Sequence, residues 1–112
     1  MKKIEVIIRP SKFEELKTEL DKINVRGMTV YDVKGHGLQK GEKQYYRGQE
    51  HAVDLISKVK IEIVCSDYSI EDVISTILKV CKTGKIGDGK IFVTSVERVI
   101  RISTREEGEG AI

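Results

Sequence analysis

The order in which two apolar periods follow each other limits the fold of this chain more than any other feature. Residues 3–9 and 59–65 alternate apolar and charged side chains, which is the period of a half-buried strand. A helical stripe of apolar residues follows each of them, at 13–23 and at 70–81. Two further strands are predicted at 28–34 and 91–95. The pattern predicts an α+β fold of the βαββαβ plan, an antiparallel sheet with both helices on one face.

Short polar motifs predict where the helices begin. Pro10, the only proline, ends the first strand. Ser11 and Glu14 then have the spacing of a capping box, in which each side chain bonds a backbone amide of the first turn. Ser69 opens the run Ser-Ile-Glu-Asp, which resembles a second capping motif.

Two parts of the chain are predicted to need a partner. Ile7, Tyr31 and Val64 fall on the sheet face that carries no helix, which predicts their burial in an oligomer. Residues 96–102 are predicted to be extended. The charged, glycine-containing tail 104–112 is expected to become ordered only against a partner or ligand.

Composition narrows the class of protein. The 112 residues make one domain, and a charged fraction of 34 % with a slightly negative mean hydropathy predicts a soluble chain. Glu5 lies where a signal peptide needs apolar residues, so we expect a cytoplasmic protein. The net charge of +2 comes from interspersed signs, which argues against nucleic acid as a partner. Cys65 and Cys81 each stand in an apolar pattern, which predicts buried reduced thiols; a disulfide or a metal-binding pair is the alternative. His36 and His51 lie in a polar segment, so we expect their side chains to be solvated.

A glycine-rich stretch between the second helix and the last strand is the strongest candidate site. It combines three glycines with two lysines, namely Gly84, Gly87, Gly89, Lys85 and Lys90. Glycine tolerates positive φ and lets an anion approach the backbone N–H groups, so the stretch predicts phosphate contact. It is no P-loop, because Ile91 stands at the magnesium-binding position and the flanks are helix then strand. A turn without a ligand would account for the glycines but not for the lysines.

The segment 35–57 has no strand or helix period, which predicts a long irregular loop. A loop of this length within a small domain is typical of a functional segment. Two tyrosines and an arginine-glycine pair mark its centre, namely Tyr45, Tyr46, Arg47 and Gly48. Aromatic and arginine side chains contribute disproportionately to binding, so we expect a partner contact there. A flexible hairpin without a binding role is the alternative.

These motifs together resemble the PII nitrogen-regulatory signalling proteins. The stretch 83–93 resembles that family's C-terminal signature, and 35–41 with 46–48 resembles its long T-loop. Three further stretches also match, at 7–10, 26–30 and 58–61. The likeness covers the whole chain with its motifs in the family's order.

The resemblance implies a ferredoxin-like homotrimer of a single domain, 1–112. Its sheets would face a central channel, and each cleft between subunits would hold a nucleotide. The functional segments would be the T-loop 36–56 between the second and third core strands, the nucleotide loop 82–90 and the C-terminal tail 103–112. The protein would be a regulator of nitrogen metabolism and not an enzyme.

The resemblance also implies where the effectors bind. ATP and ADP would compete for one site, with glycine amides, Lys90 and Arg101 on the phosphates and Thr29 and Val64 at the adenine. The full nucleotide set would be Thr29, Gly35, Gly37, Leu38, Val64, Gly87, Asp88, Gly89, Lys90, Arg101 and Ser103.

A second effector, 2-oxoglutarate, is implied at the base of the T-loop. Gln39 would ligate a Mg²⁺ ion that bridges it to the ATP phosphates, which suits the oxygen preference of that cation. Lys58 would pair with a carboxylate of the keto acid. The set would be Gln39, Lys40, Gly41, Lys58 and Gly87. Without the resemblance, Lys58 is read as a solvated lysine and Gln39 as a loop amide.

The chain departs from the family pattern at four positions. His51 stands where many members carry a uridylylated tyrosine, and Gln49 stands where some carry a phosphorylated serine. Signalling by ligand occupancy alone is therefore expected. Leu38 and Ser103 replace arginines near the phosphates, which is expected to lower affinity or the preference for ATP over ADP.

The implied target is an ammonium transporter, whose pore Arg47 would plug, or glutamine synthetase or nitrogenase. Contact with a membrane would occur only through the transporter. A sensor of ATP and ADP without a 2-oxoglutarate response is the first alternative. An acylphosphatase-type enzyme would need an arginine–asparagine pair, but Asn24, the only asparagine, lies at a predicted helix end. An RNA-binding module would need sheet aromatics, and Phe92 stands almost alone.

Overall fold

The computed structural model describes residues 1–36 and 55–112, together with the backbone of 43–46 and 49–52. Six strands and two α-helices occur in this part of the chain. They are β1 (Lys2–Ile8), α1 (Phe13–Lys22), β2 (Thr29–Gly35), β3 (Lys43–Tyr46), β4 (Gln49–Ala52), β5 (Ile56–Cys65), α2 (Ile70–Cys81) and β6 (Lys90–Ser95). Short 3₁₀ helices lie at Pro10–Lys12 and Gly108–Ala111. In the described ranges no helix combines the length and apolar character that a membrane crossing requires.

Four strands form one antiparallel sheet in the order β2-β5-β1-β6. The strands are in register through Ile4, which lies opposite Ile63 in β5 and Val93 in β6. Sheet and helices follow the predicted βαββαβ order, so the α+β prediction is confirmed.

Both helices cover one face of the sheet. The alternate residues Ile4, Ile61 and Ile63 are at most 1 % exposed, and they share a single core with Leu16 of α1 and Ile77 of α2. Alternation along a strand sends successive side chains to opposite faces, so the buried residues of β1 and β5 identify the face that the helices cover. Burial of this apolar set is the main contribution to the stability of the fold.

The opposite face carries a network of four charges. Lys3 Nζ lies 3.3 Å from Glu5 and 3.1 Å from Glu62, and Lys60 Nζ lies 3.7 Å and 3.4 Å from the same two carboxylates. Hydrogen bonds to the carboxylates of Glu62 and Glu5 raise the pKa of Lys3, and the Lys3 ammonium lowers the pKa of Glu62. Lys60 also lies 5.1 Å from the ring centre of Tyr31.

Burial of this face in an oligomer stays a prediction. In the single chain Ile7 and Val64 are half-buried, and Tyr31 is 40 % exposed.

The strand directions give the sheet two distinct ends. At one end Ile7 of β1 lies opposite Lys90, and Gly35 of β2 lies opposite Ile56 of β5. At the other end Lys2 lies opposite Ser95 and Cys65, and the chain then continues from β6 beside its own N-terminus, since Val96 N donates to the Met1 carbonyl at 3.1 Å.

Both predicted capping motifs are wrong in their hydrogen bonds. Ser11 lies within the 3₁₀ helix, and the residue that precedes α1 is Lys12, with helical backbone angles. Ser69 does precede α2, but it too has helical angles and its hydroxyl lies 3.1 Å from that of Ser66. A capping side chain needs an extended backbone to reach the amides of the first turn, and neither serine has it.

The loop prediction also needs a correction. The segment 35–57 is not irregular throughout, because β3 and β4 pair as an antiparallel ribbon in which Lys43 lies opposite Ala52. Two four-residue strands of mostly polar sequence lack the apolar alternation by which a strand is recognised.

The C-terminal tail is ordered by contacts within the chain, contrary to the prediction. Ile100 forms a bridge with Glu107, and Gly108 N donates to the Val99 carbonyl at 3.1 Å. Of the segment 96–102, predicted to be extended, only Ile100 takes part in this bridge, and residues 102–104 form a turn. The pairing connects residues seven apart across a turn, which single-residue patterns do not reveal.

Candidate functional site

The glycine-rich loop between α2 and β6 is held by the carboxylate of Asp88. It accepts hydrogen bonds from the backbone N–H groups of Thr83 and Gly84 at 2.8 and 2.9 Å, and from the Thr83 hydroxyl. Arg9, the residue that follows β1, places its Nε 3.4 Å from the same carboxylate. The donors from Thr83, then Gly84 and Arg9, hold the pKa of Asp88 well below its usual range. The carboxylate is therefore ionised at neutral pH, where it accepts these hydrogen bonds as an anion.

Two cations bind the carbonyl groups at the tip of the loop. Arg9 Nη2 donates to the Ile86 carbonyl at 2.8 Å, and Lys58 Nζ donates to the Gly87 carbonyl at 2.7 Å. In a trans peptide the N–H points opposite to the C=O, so the N–H groups of Gly87 and Asp88 point away from these cations. Among the described residues neither N–H has an acceptor. Adjacent backbone N–H groups without an acceptor can bind phosphate oxygens.

Positive φ angles shape the loop at its glycines. Gly87 has φ 103° and Gly89 has φ 102°. Gly89 also packs directly on β1, because a Cβ atom there would lie 1.7 Å from the Ile7 carbonyl oxygen. Only glycine satisfies both the backbone angle and the contact.

The structure brings six of the predicted site residues to one end of the sheet. Lys90 begins β6 opposite Ile7 and is exposed. A Cβ atom at Gly35 would lie 3.7 Å from the Lys58 side chain. The six are Gly35 of β2, Lys58 of β5, and Gly87, Asp88, Gly89 and Lys90 of the glycine loop and the start of β6. This end of the sheet therefore carries two lysines and two backbone N–H groups without an acceptor among the described residues, which are groups suited to contact with an anion.

Four predicted nucleotide residues lie elsewhere. Thr29 precedes Gly35 by six residues in β2, and Val64 follows Lys58 by six residues in β5, which is about 20 Å at the rise of a strand. Arg101 and Ser103 belong to the segment that leaves the same far end of the sheet. Arg101 contacts Glu106 Oε1 at 3.1 Å and the Gly110 carbonyl at 3.3 Å.

The remaining predicted residues lie outside the described residues. They are Gly37, Leu38, Gln39, Lys40, Gly41, Arg47 and Gly48. Tyr45 and Tyr46 belong to β3, where the structure describes the backbone. Their assigned roles stay predictions.

Sequence reasoning missed two residues that support the loop. Arg9 binds it from 79 positions away, and Thr83 supplies both an amide and a hydroxyl to Asp88. In the sequence, Arg9 is distinguished only by its position before Pro10, and Thr83 only by its position before Gly84, so neither pattern predicts a contact with Asp88. The rejection of a P-loop is confirmed, because the loop runs from α2 into β6.

The two cysteines are buried free thiols, as predicted. Cys81 borders a cavity of about 250 Å³ between the end of α2 and the start of β6. Burial raises the pKa of Cys81 to about 11 and also raises the pKa of Cys65. Within the described ranges no three His, Cys, Asp or Glu side chains gather as metal ligands.

The first prediction concerns the contact of Gly89 with β1. Gly89→Ala is expected to lower the free energy of unfolding by more than ~2 kcal/mol, because the methyl group adds a backbone clash to an unfavourable φ. Gly84→Ala is the matched control: φ there is 84° but nothing lies within 4 Å of the added Cβ, so a loss of about 1 kcal/mol is expected. Urea unfolding at fixed protein concentration measures both. Equal losses in the two variants would contradict the packing argument.

The second prediction concerns pH. Because the folded pKa of Asp88 is depressed, its stabilisation is fully present above the unfolded value of about 4 and is lost as pH falls below it. Asp88→Asn should therefore be less stable than wild type at pH 7, and the difference should shrink between pH 4 and the acid limit. Asp21→Asn, at an exposed carboxylate of α1, serves as control. A wild-type advantage that is the same at pH 7 and at pH 3 rules out the role of the ionised carboxylate.

Comparison with known proteins identifies the family. The model of the family "Nitrogen regulatory protein P-II" matches residues 1–106. The chain is 55 % identical over 106 residues to the "Nitrogen regulatory protein P-II" of Pyropia yezoensis, with 95 % of each chain covered. It is 53 % identical to that of Pasteurella multocida and 52 % identical to "Nitrogen regulatory protein P-II 1" of Escherichia coli K12, both over all 112 residues of each chain. The chain therefore belongs to the P-II family and is a nitrogen-regulatory signal-transduction protein, not an enzyme.

Proposed function

We propose that this protein binds ATP or ADP, together with 2-oxoglutarate, and reports their occupancy to a target through the T-loop 36–56. One observation carries the proposal: the backbone N–H groups of Gly87 and Asp88 have no acceptor among the described residues, and their loop lies with Lys58 and Lys90 at the sheet end from which the T-loop leaves. An anion bound there touches the base of the loop.

The phosphates are proposed to bind at the glycine loop. Gly87 and Asp88 donate from the backbone, Lys90 supplies charge, and Gly89 allows the close approach of the chain to β1. The Asp88 carboxylate serves a different purpose, since it faces Thr83 and Arg9 and holds the loop in the binding conformation. A site prepared in this way loses less conformational entropy on binding.

The complete nucleotide site is proposed to form between subunits of a homotrimer. The adenine residues Thr29 and Val64, and the tail residues Arg101 and Ser103, belong to the far end of the sheet. One nucleotide can contact both groups if the far end of one copy approaches the glycine loop of the next. Such head-to-tail contacts close into a ring, and the exposed Ile100 and Ile102 of the tail would be covered there.

The second effector is proposed to bind next to Lys58. Its ammonium already stands at the Gly87 carbonyl, so a carboxylate of 2-oxoglutarate would lie between the T-loop base and the glycine loop. Gln39, Lys40 and Gly41 would complete the pocket from the T-loop. Gln39 would hold Mg²⁺, which supplies positive charge between the keto acid and the ATP phosphates.

The output is proposed to be a change in the T-loop population. The loop begins after Gly35 of β2 and runs to Ile56, the first residue of β5. Because Gly35 and Ile56 are paired, ligands at that end would contact both ends of the loop. Each effector shifts the loop only as far as its affinity differs between the loop states. The proposed target is an ammonium transporter, which Arg47 would bind from the cytoplasmic side. The alternative targets are the cytoplasmic enzymes glutamine synthetase and nitrogenase.

A second candidate is a sensor of adenine nucleotides alone. Leu38 and Ser103 favour it, because both replace arginines that the resemblance places near the phosphates. His51 and Gln49 exclude uridylylation and phosphorylation at their positions, so either sensor would work through ligand occupancy.

Calorimetric titration tests the proposal and separates the two candidates. Mg-ATP is titrated into the protein, and 2-oxoglutarate is then titrated with and without Mg-ATP present. Binding of the keto acid only with Mg-ATP is the expected result, and ATP binding without it selects the adenylate sensor. Lys90→Ala should abolish ATP binding and leave the oligomer intact, whereas Lys79→Ala, an exposed lysine of α2, should bind as wild type. Wild-type affinity in Lys90→Ala would refute the glycine-loop site.

Mixed oligomers test whether each site is shared. Lys90→Ala and Arg101→Ala are each expected to lose ATP binding alone. The two variants are then mixed in equal amounts, unfolded and refolded together. About a quarter of the clefts should combine an intact Lys90 from one chain with an intact Arg101 from its neighbour, so ATP binding should return at about a quarter of the sites. If one chain supplied both residues, every site in the mixture would carry one defect and no binding would return.

A further inference from the structure

The C-terminal turn holds a second arginine next to Arg101. Arg105 N donates to the Arg101 carbonyl at 2.8 Å, and Arg101 N donates to the Glu106 carbonyl at 2.9 Å. These bonds close the turn 102–104 and place the backbones of the two arginines in contact. Their side chains therefore leave the chain from neighbouring points.

Arg105 has an unusual backbone for its residue type. Its φ is 62°, in the left-handed region, where the Cβ of most residues is crowded. The other non-glycine residue with positive φ in the described ranges is Asn24, whose type tolerates this region. Since glycine or asparagine would fit the turn better, the arginine side chain does not serve the turn itself. A residue kept in an unfavourable conformation suggests a function for its side chain.

Arg105 also differs from the other arginines of the tail in its partners. Arg98 Nη2 lies 2.6 Å from Glu107, and Arg101 Nη1 lies 3.1 Å from Glu106. Across the described ranges the exposed Arg105 side chain has no carboxylate partner. It can therefore meet an anion without breaking an ion pair, unlike its two neighbours.

We propose that Arg105 is a further phosphate-binding residue, which forms with Arg101 a pair of guanidinium groups for the polyphosphate of a bound nucleotide. The proposal rests on the proposed function, because it takes the tail as one wall of the nucleotide cleft. A guanidinium bonds two phosphate oxygens at once, which a lysine does not match. Arg105 thereby restores, two residues later in the same turn, the charge that Ser103 lacks.

The test uses a neutral variant that suits the turn. Arg105→Asn keeps a residue that tolerates positive φ, so its urea unfolding midpoint should equal or exceed that of wild type. Its dissociation constant for ATP should rise about tenfold, the effect of one charge-assisted contact. The constant for ADP should rise less, and binding of adenosine should not change. Arg105→Lys should recover part of the ATP affinity.

Arg98→Gln is the matched control. It removes the same charge from the same segment, but this guanidinium is occupied by Glu107, so the ATP dissociation constant should change by no more than about twofold. Wild-type ATP affinity in Arg105→Asn, or an equal loss for adenosine and ATP, would overturn the proposal for Arg105 alone. Wild-type protein that binds neither ATP nor ADP would instead overturn the proposed function, and this inference with it.

Discussion

The carboxylate of Asp88 organises the glycine loop, the part of this protein where we propose that phosphate binds. It gathers two backbone amides and a hydroxyl from the start of the glycine loop and an arginine from the end of β1. A loop with three glycines of positive φ has a large conformational entropy when free, and these contacts restrict it to one shape. Arg9 and Lys58 then orient the carbonyl groups at its tip, and the N–H groups of the same peptides point away from these two cations as a consequence.

The antiparallel sheet divides the proposed nucleotide residues between its two ends. Lys90 and the glycine loop lie at one end, and the chain returns to the opposite end before the tail begins beside Met1. The separation is a property of strand length and direction, so local rearrangement within one chain does not remove it. This separation is the physical basis for the proposal that the nucleotide site forms between subunits.

Much of this architecture can be predicted from the sequence, and the failures have physical causes. Alternation in β1 and β5 and the helical stripes fix the sheet and its covered face, and the glycine–lysine stretch identifies the loop. The role of Arg9 cannot be read from its neighbours, because its contact with Asp88 exists only once β1 and β6 pair. The predicted serine caps are absent because a capping side chain needs an extended backbone, whereas Ser69 has helical backbone angles. The β3–β4 ribbon and the tail bridge are pairings of polar residues, for which hydrophobic periodicity carries no information.

The tail is bonded to itself. All hydrogen bonds and ion pairs described for residues 97–112 join two residues of that segment. None of its side chains belongs to the buried core, and Ile102 is 96 % exposed. Substitutions in the tail are therefore expected to have little effect on the sheet and helices. If the tail forms one wall of the nucleotide cleft, as proposed, exchanges at Ser103 or Arg105 would change ligand preference while the scaffold and the glycine loop stay unchanged.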